Sequence, residues 1–346
     1  MVNNLADISF KDADWIIENT KVDWLLFKDK SILITGASGL FGRTLASSFN
    51  LLNKKKELNI QIYLLSSSPI KLKSIFGRGL EDFALVEEKD LEDIESLSYI
   101  FHCASPTDST FFVEKPVETI ESIISMTQTL LQLAKKNDSE FLLLSTMEVY
   151  GTGAEKKISE EDTCLLNYQT MRASYPEAKR LAELLSFAYF EEYRVKTKVV
   201  RLVQTLGVPF SFQADKRLAI SLLDCLYLKK TIKLKTTCLS KRPYVYIRDA
   251  VSALFFITLK GTNGKAYNVS NPATFMSVKN FVGLLKEKLL LQTEFNIEQD
   301  IEKTEFTPIH KINLDTSKLS KLGWEPRYDI IKSYEEMLLE LKEGSR

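Results

Sequence analysis

The chain reads as an α/β protein, a doubly wound parallel sheet followed by a smaller mixed C-terminal domain. Three observations predict this. A buried strand runs straight through a glycine-rich turn into a helix between Ser31 and Asn50. Apolar strand-like runs alternate with helical patterns as far as Val203. From about Leu206 onward the patterning becomes mixed. Ser31 to Thr35 is short, apolar and β-branched, as expected of a strand covered on both faces. Gly36, Gly39 and Gly42 follow at G-x-x-G-x-x-G spacing, and Leu40, Phe41, Leu45 and Phe49 begin an amphipathic helix. Strands are then expected at Ile60 to Leu65, Phe83 to Glu87 and Tyr99 to Cys103. A long helix is expected from Val113 to Lys136, a strand from Phe141 to Ser145, a helix from Pro176 to Tyr193 and a sixth strand from Val199 to Val203. Such alternation implies parallel strands with helices on both faces. Lys216 to Tyr227, Ile232 to Leu234 and Ser277 to Leu291 are the principal segments of the C-terminal part. The expected division is a helical extension over 1–29, a dinucleotide-binding domain over 30–205, and a mainly substrate-binding domain over 206–346 with some segments returning to the large sheet. The extension is expected to pack on the outside through Trp15, Ile16, Trp24 and Leu25.

Composition narrows the function classes. The 346 residues suffice for one large or two modest cores, and a 45% hydrophobic and 27% charged composition is that of an ordinary globular chain. Lys+Arg and Asp+Glu both number 46, so no nucleic-acid partner is expected. The four cysteines, Cys103, Cys164, Cys225 and Cys238, form no C-x-x-C pair, and two histidines make no metal cluster, so no metal is expected. Free thiols fit a reducing cytoplasm. Val251 to Leu259 is too short an apolar stretch to cross a bilayer, so no membrane partner is expected.

The chemistry lies in three places. The glycine triplet allows a tight turn and close backbone approach to a pyrophosphate, and the helix N-terminus behind it offers free N–H groups to that anion. Leu144-Ser145-Thr146-Met147-Glu148-Val149-Tyr150-Gly151 ends the fifth strand. Tyr175 and Lys179 stand at i and i+4, so they share one helix face. The ammonium of Lys179 is expected to lower the phenol pKa of Tyr175 and make it a proton acceptor. Position gives this pair its weight, because it opens the helix that follows the Ser-Thr strand end. The bland alternative is a surface tyrosine beside a solvated lysine.

These motifs resemble the extended short-chain dehydrogenase/reductase family, in its nucleotide-sugar epimerase, dehydratase and decarboxylase branch. The resemblance runs from Lys30 to about Leu341 and includes Phe101-His102-Cys103-Ala104-Ser105-Pro106, Pro116 to Ile120, Arg201 to Gly207, Ala266 to Val269 and Leu322 to Pro326. Arg172-Ala173-Ser174-Tyr175, with Glu177, Lys179 and Arg180, is most similar to UDP-glucuronate decarboxylases. The resemblance implies a Rossmann sheet and a bound NAD that takes a hydride from a sugar carbon, usually C4, while Tyr175 takes the hydroxyl proton. It implies that Thr146 bonds the same oxygen and that Lys179 binds the nicotinamide ribose. Glu148 is the candidate for later acid–base work, or else a carboxylate bracing its loop. The implied cofactor contacts are Gly36, Ser38, Gly39, Leu40, Phe41, Gly42, Ser66, Asp90, Leu91, Cys103, Ala104, Ser105, Tyr175 and Lys179. The implied substrate contacts are Pro106, Thr107, Arg172, Gln204 and Arg242, with Arg242 on the nucleotide diphosphate; the two arginines could equally sit in solvated ion pairs. The substrate implied is a nucleotide-diphosphate sugar, and the assembly implied is a cytoplasmic homodimer joined by a four-helix bundle.

Departures from the branch shape the expectation. Met147 stands where the branch's 4,6-dehydratases carry an acid, which favours decarboxylation or epimerisation of a 4-keto sugar over simple dehydration. Gln204 replaces the usual asparagine. Ser66, Ser67 and Ser68 stand where an NAD enzyme usually has an acid for the ribose, and with Lys71 and Lys73 nearby NADP is the alternative cofactor. An NADP-dependent sugar or carbonyl reductase, or a cofactor-binding regulator without turnover, are the alternative functions.

Overall fold

The computed structural model describes residues 2, 5–151, 157–163, 165–234, 238–295 and 311–343. In chain order the elements are α1 (Leu5–Asn19), β1 (Ser31–Thr35), α2 (Leu40–Lys56), β2 (Gln61–Leu65), α3 (Pro69–Phe76), β3 (Ala84–Val86), β4 (Tyr99–His102), α4 (Ser109–Glu114), α5 (Pro116–Asn137), β5 (Glu140–Thr146), α6 (Ser174–Tyr193) and β6 (Lys196–Leu202). There follow β7 (Gln204–Leu206), α7 (Leu218–Tyr227), β8 (Ile232–Leu234), β9 (Lys241–Tyr246), α8 (Ile247–Lys260), β10 (Lys265–Val269), β11 (Asn271–Ser277), α9 (Val278–Leu289), β12 (Thr293–Phe295), α10 (Ser317–Ser320) and α11 (Ile330–Glu343).

Seven strands form one parallel sheet in the order β3-β2-β1-β4-β5-β6-β10. Alternate residues of β1 serve opposite faces. Ile32 and Ile34 join Leu45, Phe49 and Phe255 on the side of α2 and α8, whereas Leu33 joins Leu130, Ala134, Ala178 and Ala182 on the side of α5 and α6. Strand order reverses between β1 and β4, where Thr35 lies opposite His102. Parallel sheets of this kind bind ligands at that reversal, beyond the carboxyl ends of the strands. The last strand of the sheet, β10, comes from the C-terminal part and pairs with β6 from Lys265 to Val269. Two small sheets, β11-β9-β7 and β12-β8, complete that part.

Two expectations need correction. The helix expected from Val113 to Lys136 is two helices, because Pro116 occupies the first turn of α5 and α4 stops at Glu114. In the N-terminal segment Trp24 and Phe27 are buried, but Leu25 is 65% exposed and does not pack. The extension is also more than an outer coat. Asp12 on α1 accepts from Arg248 Nε at 2.7 Å, and Arg248 Nη2 donates to Glu340 of α11 at 2.7 Å. This buried charge cluster fastens both ends of the chain onto α8.

Candidate functional site

The glycine turn is shaped by its packing. Gly36 has φ +64°, and a Cβ there would lie 2.8 Å from the Ala104 backbone. A Cβ on Gly42 would lie 2.3 Å from the Gly36 carbonyl. These two glycines let β1, α2 and the end of β4 approach one another. Gly39 differs: it is exposed, and its Cβ would meet one atom, the Gly36 carbonyl, at 3.2 Å. Gly39 is the N-cap of α2 and supplies no side-chain cap, so the first N–H groups, at Leu40 and Phe41, open toward the strand reversal. Ser66, just past β2, donates to Ser38 Oγ at 3.2 Å and so stands at the same turn. Asp90 and Leu91 lie in the 3₁₀ turn Glu88–Asp93 after β3, where the Leu91 side chain is committed to the core beside Leu65.

The end of β4 is fixed by a network that sequence reasoning missed. Ala104 N–H donates to Thr35 Oγ1 at 3.1 Å, and Thr35 Oγ1 meets His102 Nδ1 at 2.9 Å. On the other side His102 Nε2 meets Thr127 Oγ1 at 3.3 Å, and that hydroxyl donates to the Ile123 carbonyl at 2.6 Å. Thr127 therefore accepts from Nε2–H, and neutral His102 accepts from Thr35 through Nδ1. Burial pushes the His102 pKa down to about 3, which keeps the ring neutral. Cys103, Ala104 and Ser105 are thereby held alongside Gly36. The only signal in the sequence was the histidine's place one residue before Cys103.

Across the reversal stand the β5 end and the start of α6. Thr146 Oγ1 accepts from Glu148 N–H at 3.2 Å, capping the short turn Met147–Tyr150. Tyr175 is the second residue of α6, and Thr146 and Ser105 both offer hydroxyls to its phenol. Ser105 Oγ is otherwise buried without a well-formed hydrogen bond. Desolvation pushes the Tyr175 phenol well above its usual pKa and the Glu148 charge adds to this, while Thr146, Arg172 and Ser105 oppose it. The expected lowering by Lys179 is thus not what governs Tyr175 here. Lys179 Nζ instead donates to the Leu144 carbonyl at 2.9 Å. Burial lowers the Lys179 pKa to about 8, against the opposing charge of Glu183 one turn further along α6. Glu183 is itself held by Arg201, with Nη2 to Oε2 at 2.7 Å, and by the Ser145 hydroxyl. The Tyr-x-x-x-Lys spacing recurs at Tyr328 and Lys332, where the ammonium lies 4.3 Å from the ring centre, so position and not spacing distinguishes Tyr175.

Glu148 and Arg172 form a half-buried ion pair at 2.7 Å. Arg172 Nη1 is buried without a partner, and its guanidinium lies 5.1 Å from the centre of the Phe112 ring. Phe112, which sequence reasoning did not single out, stacks on Tyr175 with centroids 4.3 Å apart. Pro106 and Thr107 lead from the β4 end toward α4. Gln204 on β7 lies opposite Tyr244 of β9, and Arg242 lies two residues before Tyr244, half-buried and opposite Met276. Among the described residues no group of His, Cys, Asp and Glu could hold a metal, and no helix is long and apolar enough to cross a membrane. Cys103 and Cys225 are free thiols, Cys238 is buried, and Cys164 lies outside the described residues.

Residues 32–270 match the NAD dependent epimerase/dehydratase family. The chain belongs to that family. Membership of that family makes it an enzyme of the short-chain dehydrogenase/reductase type, as the motifs implied. Among relatives of this family member, UDP-glucuronic acid decarboxylase 6 of Arabidopsis thaliana is 28% identical over 86% of this chain and 84% of its own length. UDP-glucose 4-epimerase of Thermotoga maritima, solved with UDP-glucose, superposes with a TM-score of 0.76 at 19% identity, covering 91% of this chain and 100% of that one. UDP-glucuronic acid 4-epimerase of Bacillus cereus, solved with UDP-glucuronic acid and NAD, gives a TM-score of 0.71 at 19% identity over 90% and 99% of the two chains.

The site's own residues fit a dinucleotide. The uncapped start of α2 and the open face at Gly39 lie beside Gly36, which packs on the Cys103–Ala104 backbone at the strand reversal.

Proposed function

We propose that this family member is an NAD-dependent enzyme that remodels a nucleotide-diphosphate sugar, and a nucleotide-linked uronic acid in particular, through a transient 4-keto sugar. Decarboxylation or epimerisation is favoured over dehydration because Met147, buried in the turn after Thr146, offers no acid to a leaving hydroxide. The observation that carries the reading is the convergence of Thr146, Tyr175 and Ser105 beside the glycine turn, with Lys179 one helical turn behind Tyr175. The relatives that act on UDP-glucuronic acid support the substrate class.

NAD, when bound, accepts and later returns a hydride. The chain's own parts divide the remaining work. Gly39, Leu40 and Phe41, with Gly36 and Gly42 beneath them, hold the pyrophosphate through backbone N–H groups. Ser38 and Ser66 face the adenosine ribose, Asp90 and Leu91 its base, and Cys103 to Ser105 the nicotinamide side. Tyr175 takes the C4 hydroxyl proton, Thr146 bonds the same oxygen, and Lys179 holds the nicotinamide ribose. Glu148, steadied by Arg172, moves the proton of the later step. Pro106 and Thr107 border the sugar, and Arg242 and Gln204 meet the diphosphate. NAD is preferred to NADP because the matching family is described as NAD dependent and the Bacillus cereus epimerase of the same fold was solved with NAD.

The test has two parts. Purified protein is denatured and the released cofactor identified by mass; NAD is expected. Native protein is then incubated with UDP-glucuronic acid and its neighbours and followed by NMR. Loss of C6 as carbon dioxide, or inversion at C4, without net use of cofactor supports the reading. Stoichiometric NADPH consumption with a reduced product overturns it in favour of the reductase.

A further inference from the structure

The Phe112 and Tyr175 rings lie within 3° of parallel at 4.3 Å. They come from different elements, α4 after the β4 end and the first turn of α6. Phe112 is held on both sides of its contact. Ser174 Oγ donates to its carbonyl at 2.9 Å, and the side chain is 2% exposed. The Arg172 guanidinium lies against its ring and is in turn fixed by Glu148. Tyr175 is anchored at its far end, where Thr146 and Ser105 meet its hydroxyl, and Phe112 is a flat side chain lying along the ring between that anchor and the backbone.

We propose that Phe112 is a positioning residue for Tyr175, its flat face fixing the plane of the phenol so that the hydroxyl stays directed at the reacting oxygen of the sugar. The inference rests on the reading of Tyr175 as the proton acceptor. A flat neighbour restricts the ring's swing out of its own plane, whereas an aliphatic side chain of similar volume fills space without defining a plane. Proton transfer is sensitive to small displacements of the acceptor. The charged groups that act on Tyr175 are Glu148 and Arg172 from the turns before α6, while Lys179 on α6 itself is turned to the Leu144 carbonyl. Phe112 adds no charge, but its ring also carries the Arg172 guanidinium, so Phe112→Tyr, which keeps an aromatic face for Arg172, is the control for that contact.

The experiment compares Phe112→Leu and Phe112→Tyr in the full chain with its retained cofactor. In Phe112→Leu kcat is expected to fall by about tenfold or more while KM for the nucleotide sugar stays within about twofold. The acid limb of the kcat/KM profile moves to lower pH as water reaches the phenol. Phe112→Tyr keeps the flat ring and recovers most of the rate, and Phe112→Met substitutes for the leucine variant if that does not fold. A second readout needs no turnover: nitration of Tyr175 by tetranitromethane, quantified by peptide mass, is expected to be faster in Phe112→Leu than in the parent. Parent-like kcat, pH profile and nitration in the leucine variant overturn the proposal. If the parent turns over no nucleotide sugar, the functional reading has failed, and the nitration comparison alone still supports or overturns the role of the contact.

Discussion

Tyr175 concentrates its chemistry in one oxygen that faces Thr146 and Ser105. Tyr175→Phe removes that oxygen and leaves the stack on Phe112 in place. Turnover is expected to drop by ~10²–10⁴-fold with the melting temperature near that of the parent; parent-like rates on a confirmed nucleotide sugar would remove Tyr175 from the mechanism. Lys179 gives a different kind of expectation. Its pKa is lowered from 10.5 to about 8 by burial, so below pH 8 the folded chain holds a buried charge that the unfolded chain keeps in water. Between pH 8 and 10.5 the unfolded state binds more protons, and this group's contribution to stability rises with pH. In cofactor-free protein Lys179→Met is therefore expected to raise the melting temperature at pH 7 and to lose most of that advantage by pH 9.5. An advantage that does not shrink with pH would show that Lys179 is not desolvated at a cost. The two residues were legible in the sequence because a helix period joins them. Phe112, the Thr35–His102–Thr127 relay and Arg201 on Glu183 were not, since each contact joins segments far apart in the chain and leaves no periodic trace.

The glycine turn shows how far spacing alone can be read at the scale of an element. Three glycines at equal intervals look alike in sequence, yet two pack backbone against backbone and one faces outward. Gly39 has φ −77° and ψ 171°, which a β-branched residue adopts without strain. Gly39→Val is expected to destabilise the cofactor-free protein by no more than ~1 kcal/mol, the order of a weakened N-cap, while abolishing cofactor retention. Gly42→Ala places a methyl group against the Gly36 carbonyl and is expected to lower the melting temperature outright. Mass analysis of retained cofactor and thermal unfolding of both variants separate the two outcomes; NAD retained by Gly39→Val would move the pyrophosphate elsewhere. The break between α4 and α5 was written in the sequence as Pro116, but the apolar residues continue across it, and continuity of pattern masked the stop. The same break gives α4 its own orientation and brings Phe112 onto Tyr175.

At the scale of the whole molecule, strand alternation made the parallel sheet legible, since each βα unit announces itself locally. The seventh strand did not announce its place: β10 follows a helix in the C-terminal part and its pairing with β6 is decided by tertiary packing. The clasp of Asp12, Arg248 and Glu340 was equally silent, because residues at opposite ends of the chain share no local pattern. One whole-molecule feature is an excess of apolar residues on the helices that cover the α5–α6 side of the sheet. In the fold Ile123, Leu130 and Ala182 face the core, yet Val117 and Leu184 are 63% and 62% exposed, with Val113, Ile120 and Leu181 also open. Apolar side chains repeated on the outer faces of two neighbouring helices suit a self-complementary contact, in which α5 and α6 of one protomer pair with those of its partner about a two-fold axis. We therefore expect a homodimer joined by a four-helix bundle, measured by light scattering at micromolar concentration. Val117→Glu combined with Leu184→Glu should convert it to a monomer whose Rossmann fold persists, because both side chains point away from the core, as judged by circular dichroism and retained cofactor. A parent protein that is monomeric at that concentration, or a dimer untouched by the paired charges, would place the contact on another face or remove it.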